Sequence, residues 1–64
     1  MTCDAIGCIV AVLRRDYGDY GYRFERFEQV GWTGGARGFV AHSDGSRFVL
    51  VSDRYGNVKR EEEA

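Results

Sequence analysis

Residues 38–60 read GFVAHSDGSRFVLVSDRYGNVKR, and the fold turns on them. Two short runs of alternating apolar residues are punctuated by Asp44-Gly45 and by Asp53-Arg54-Tyr55-Gly56-Asn57. Asp-Gly between such runs is a strong hairpin signal, because its residues tolerate the positive φ angles that a primed two-residue turn demands. An antiparallel meander follows, with strands predicted at about Ala36–His42, Arg47–Ser52 and Asn57–Arg60. In the first of these, Gly38, Val40 and His42 share one face and Arg37, Phe39 and Ala41 the other. In the second, Phe48 and Leu50 oppose Val49 and Val51. The second strand is therefore apolar on both faces and needs cover on each. Either the sheet curls into a small barrel or its second face meets a partner.

Toward the N-terminus, Tyr20, Tyr22, Phe24 and Val30 alternate, while Arg26 and Phe27 break the pattern. A strand with a bulge fits this segment, since aromatic residues favour strands; the competing helix would align Tyr20, Phe24, Phe27 and Gly31. Gly31-Trp32-Thr33-Gly34-Gly35 reads as a loop of high backbone freedom. Between Thr2 and Gly18 the period decides between helix and strand. At roughly 100° per residue, Ile6, Ile9, Val10, Leu13 and Tyr17 fall on one arc, with Asp4, Gly7, Ala11, Arg14 and Arg15 opposite. Thr2 can cap this amphipathic helix, Asp4 complements its positive end, Arg14 and Arg15 suit the negative end, and Gly18 closes it. The β-branched Ile9, Val10 and Val12 and the interior Gly7 pull the other way. The expected architecture is α+β: one N-terminal helix on a twisted antiparallel meander of about four strands. A five-stranded all-β barrel is the alternative.

The chain of 64 residues makes a single domain, 1–64, with residues 61–64 expected as a solvated acidic tail. A domain this small hides only about 60% of the surface its unfolded chain exposes. Its core is thin, so homodimerisation is one route to added stability. Nine Lys and Arg against ten Asp and Glu give a net charge of -1, which disfavours general binding to phosphate backbones. The longest apolar run, Cys8 to Leu13, is too short to cross a bilayer or to serve as a secretory leader. With only Cys3 and Cys8 there is no disulfide framework, so reduced thiols and a cytoplasmic location are expected.

No cluster of chemistry-bearing residues emerges. Cys3 and Cys8 lie five apart, pointing away from each other in a helix and to opposite faces in a strand, and zinc sites hold tighter spacings and four ligands. His42, Ser43, Asp44 and Ser46 are what a hairpin tip ordinarily contains. Gly31-x-x-Gly34-Gly35 lacks the Lys and Ser/Thr of a phosphate loop. No metal, no cofactor and no enzymatic activity are expected, because an active site needs a water-excluding cavity that this core can hardly enclose. The surface candidate is instead the aromatic and charged stretch from Tyr17 to Trp32. Asp16, Tyr17, Asp19, Tyr20, Glu25, Glu28 and Trp32 there combine the ring types that anchor protein interfaces with carboxylates able to stand in for phosphates.

The meander built around Gly38-Phe39-Val40 and Arg47-Phe48-Val49-Leu50-Val51, joined to this acidic and aromatic stretch, resembles the small inhibitors encoded by phages and mobile elements, including anti-CRISPR proteins. The resemblance implies a stoichiometric inhibitor or adaptor that blocks a nucleic-acid-binding groove of an effector complex, with a protein complex as partner and no membrane. The alternatives are a module that binds single-stranded nucleic acid by aromatic stacking and Arg, and a structural or assembly subunit.

Overall fold

A computed structural model of the chain describes residues 4–18, 20–30 and 34–62. Helix α1 spans Ala5–Val12. Asp4, rather than Thr2, caps it: its carboxylate accepts the Gly7 amide hydrogen at 2.6 Å. An aspartate there satisfies an orphan N–H and adds a negative charge at the positive helix end; Thr2 lies outside the described residues. Past Val12 the backbone widens into a π-helical turn, Leu13–Tyr17, and stops at Gly18, whose φ of 74° only glycine adopts readily. Ile9 and Leu13 are buried, Ala5, Ile6 and Tyr17 pack against the core, and Ala11, Arg14 and Arg15 face outward. The amphipathic period thus prevails over the β-branched residues, since burying one apolar stripe outweighs helix propensity.

Four strands follow, β1 (Tyr22–Val30), β2 (Gly35–His42), β3 (Arg47–Ser52) and β4 (Val58–Glu62), each antiparallel to the next in the order β1-β2-β3-β4. The fold is α+β and the sheet is open, with β1 and β4 as edges, so the barrel alternative does not hold. The bulge expected in β1 is present: Phe24 lies opposite Val40 and Arg26 opposite Phe39, leaving Glu25 as the extra residue. That one-residue slip returns Phe27 to the face of Phe24, and their rings sit 4.7 Å apart. β4 runs two residues further than Arg60. Glu61 and Glu62 pair with Val49 and Phe48, so the acidic tail expected from residue 61 is in part a strand. Charged residues suit this position, because they discourage further pairing at an exposed edge.

The core lies between α1 and one sheet face, where Ile9, Leu13, Ala36, Val40, Phe48 and Leu50 form a single cluster. Phe48, only 2% exposed, stacks on Tyr17 with 5.1 Å between ring centroids. Gly38 makes the close approach feasible: a Cβ there would stand 2.9 Å from Ile9 Cγ2 and 3.0 Å from the Phe24 ring.

The β2–β3 and β3–β4 hairpins turn in the same way. Gly45 N–H donates to the His42 carbonyl at 2.9 Å, and Gly56 N–H donates to the Asp53 carbonyl at 3.2 Å. In each loop the glycine alone has positive φ, 95° and 88°. The first turn is therefore not the primed two-residue turn expected at Asp44-Gly45. It is a three-residue loop that ends in a left-handed glycine, the next most common way to join two antiparallel strands.

Cys8 is disulfide-bonded, which corrects the expectation of a reduced thiol at this position. Cys3, the other cysteine of the chain, lies outside the described residues. Because α1 begins at Ala5, the helical spacing that set the two cysteines apart does not apply.

Candidate functional site

With α1 on one face, the other face of the sheet carries three cross-strand rows. Register places Glu28, Arg37, Val51 and Lys59 side by side across all four strands. The next row is Arg26, Phe39, Val49 and Glu61, and the third is Arg23, Ala41 and Arg47. Each row thus has an apolar residue on the inner strands with charges beside it. Val49 and Ala41 are each only 6% exposed although α1 lies on the opposite face. The long side chains around them supply that cover, as arginine and lysine stems commonly do.

Two arginines here are paired with carboxylates. The Arg26 guanidinium sits 3.9 Å above the Phe39 ring centroid and its Nε lies 3.6 Å from Glu28 Oε2. Arg47 Nε lies 3.3 Å from Glu25 Oε1, across from the bulge that aims Glu25 toward it. Arg23, Arg26, Arg37, Arg47 and Lys59 set five positive charges against the three of Glu25, Glu28 and Glu61, a surplus of two on a chain whose net charge is -1. The near-neutral total therefore conceals a segregation, with a cationic sheet face and a compensating acidic remainder.

The residues singled out in the sequence are not brought together. Glu25 and Glu28 lie on the open face, but within ion pairs. Asp16 is in the π-helical turn, where the Arg15 side chain hydrogen-bonds its carboxyl at 2.9 Å and holds it below the usual carboxylate range. Tyr17 belongs to the core layer, between Tyr22 and Phe48. Tyr20 is 92% exposed beside Gly21 at the entry to β1. Asp19 and Trp32 lie outside the described residues. Sequence reasoning did not single out Arg37, Phe39, Val49, Val51 and Lys59, which share the open face, Val49 as a buried residue within it. The signal was present in the alternation of the predicted strands Ala36–His42 and Arg47–Ser52, which sets Arg37 with Phe39 and Val49 with Val51; Lys59 lies in the strand after them.

The hairpin tips are built as turns. Asp44 Oδ1 accepts from the Ser46 hydroxyl at 2.6 Å and from the Ser46 amide at 2.8 Å, and lies 3.0 Å from His42 Nδ1. These contacts, the Ser46 hydroxyl foremost, pull the Asp44 pKa down to about 2. Ser46 is thus committed to Asp44, not aligned on His42 as a nucleophile on its base. Asp53 plays the corresponding part in the β3–β4 loop, accepting from the amides of Tyr55 and Asn57 and from the Asn57 side chain, and Asn57 above all lowers its pKa. Among the described residues, no three of His, Cys, Asp and Glu gather as a metal site would require, and no helix is long and apolar enough to cross a membrane.

No protein-family model matches the chain, and neither a curated protein nor a solved structure matches it. The functional reading rests on the geometry.

Proposed function

We propose that the protein is a stoichiometric protein-binding module, an inhibitor or adaptor, that docks through its open sheet face. The observation that carries this reading is the row Arg26, Phe39, Val49 and Glu61, in which an apolar centre on the two inner strands is framed by charge. An apolar centre within a polar rim is the anatomy of protein interfaces, and aromatic residues and arginine are their usual anchors. The surplus of two positive charges points to a partner surface with an acidic rim. It also disfavours self-association through this face, which would oppose two cationic surfaces.

Phosphate mimicry by a continuous acidic patch finds less support, because Glu25 and Glu28 are each beside an arginine. The role implied by the resemblance to small phage-encoded inhibitors, anti-CRISPR proteins among them, is better served by steric cover of an acid-rimmed surface on an effector complex than by filling its phosphate-binding groove. A module for a nucleic-acid strand would need several stacking rings in succession, and the rows of this face offer a single ring, Phe39.

Affinity capture from the native host, with and without nuclease, tests the reading. One protein complex should survive nuclease, be lost on Phe39→Ala with Arg26→Gln, and persist on Arg14→Gln with Arg15→Gln. Recovery that vanishes with nuclease, or that ignores the sheet-face substitutions, would overturn it.

A further inference from the structure

At one end of the open face, the β3–β4 loop together with Arg37, Val51 and Lys59 of the first cross-strand row lines a cleft of about 580 Å³. This lies within the range of small-molecule sites, roughly 300–1,000 Å³. Val51 contributes apolar surface, Tyr55 stands at the edge with 73% of its area exposed, and Arg37, Arg54 and Lys59 bring three positive charges. Val51 lies between Arg37 and Lys59 in the register, so the two cations stand two strand spacings apart, about 9–10 Å at the backbone. Their long side chains can converge on a group held above Val51.

The charges of this cleft lack carboxylate partners among the ion pairs of the described residues. Arg15, Arg26, Arg47 and Arg60 each have one, whereas Arg37, Arg54 and Lys59 have none. Glu28, opposite Arg37, is turned to Arg26. Asp53, the one acidic residue lining the cleft, directs both oxygens to the backbone and side chain of its own loop. Arg54 is already oriented: its Nη2 donates to Tyr55 Oη at 2.6 Å and its guanidinium lies 4.9 Å from the Tyr55 ring centroid.

Two cations on either side of the apolar Val51 favour a dianionic group such as phosphate, which arginine and lysine both bind well. The exposed Tyr55 ring and the extra volume favour a flat body beside it. We propose that the cleft binds a phosphate attached to a flat ring, the chemistry of a mononucleotide, with the phosphate between Arg37 and Lys59 and the ring against Tyr55. This site needs neither a macromolecular partner nor the Phe39 row, so it stands or falls apart from the docking reading.

Titration of the isotope-labelled protein with AMP, followed by amide NMR, tests it. The amides of Arg37, Val51, Tyr55 and Lys59 should shift. Arg37→Gln with Lys59→Gln should weaken AMP about tenfold or more, as the loss of charged hydrogen bonds predicts. Arg23→Gln with Arg47→Gln, at the far end of the same face, should leave affinity within about twofold of the parent if the cleft supplies the contacts. Adenosine and inorganic phosphate should each bind more weakly than AMP. Separate arms with AMP and with a single-stranded oligonucleotide distinguish a free nucleotide from a nucleic-acid strand as the source of the same chemistry. Unmoved spectra at millimolar AMP, equal binding of inorganic phosphate and AMP, or undiminished affinity in the Arg37→Gln, Lys59→Gln variant would each overturn the assignment.

Discussion

Gly45 and Gly56 hold equivalent places in their hairpins but differ in surroundings, and that difference is measurable. A Cβ at Gly45 meets nothing within 4 Å, whereas one at Gly56 stands 3.2 Å from Cys8 Sγ. Gly45→Ala should therefore lose only the left-handed backbone preference, about 1–2 kcal/mol, and Gly56→Ala should lose more. Chemical denaturation of the two variants checks the order, and equal losses would show that Cys8 gives way freely. Asp44 supplies a pH test. Its folded pKa lies near 2, below the unfolded value, so its contribution is present above the ordinary carboxylate range and is lost as pH falls through about 2. Side-chain carbonyl NMR shifts should show Asp44 titrating near 2, whereas titration near 4 would mean that the Ser46 contacts do not form in solution. Residue chemistry of this kind was half legible in the sequence. Asp-Gly marked the turn, but its type depends on where the ladder's last hydrogen bonds close, here between His42 and Ser46 and between Asp53 and Asn57.

At the scale of elements, alternation in Arg47–Ser52 named both faces of β3 correctly, and the break at Arg26 and Phe27 revealed the bulge, because strand period leaves little freedom once one face is buried. Helix α1 was legible from its apolar arc. The choice of Asp4 over Thr2 as cap was not, since both residue types are favoured and the start of the helix depends on packing. Nor was the extension of β4 through Glu62, because charge suggested solvent where the edge of a sheet can also carry it. The seat of α1 rests on Gly38, whose missing Cβ admits Ile9 and the Phe24 ring. Gly38→Ala should cost about 1–3 kcal/mol through overpacking. For a domain of this size that lowers Tm by about 4–8 °C per kcal/mol in a thermal melt. An unchanged Tm would mean that the helix can lift from the sheet without loss.

For the whole molecule, the sequence posed the second face of β3 only as a dilemma, a barrel or a partner, and the sheet is open. The candidate site was harder to read. Asp16, Tyr17, Glu25 and Glu28 are near one another along the chain but are divided by the fold between the helical layer and the open face. Arg26, Phe39, Val49 and Glu61 are far apart along the chain, and the register joins them. Charge segregation was invisible for the same reason, since a total of -1 says nothing about which face carries the surplus. If this face is the docking surface, the contact should also depend on ionic strength, weakening as salt screens the cationic rim. The central claim is tested most directly by recording methyl NMR spectra of the protein as its captured partner is added. The account predicts that the methyl signals of Val49 and Val51 shift or broaden while that of Ala11, on the outward side of α1, stays in place. Perturbation of Ala11 with Val49 and Val51 unmoved would contradict it and assign the interface to the helix.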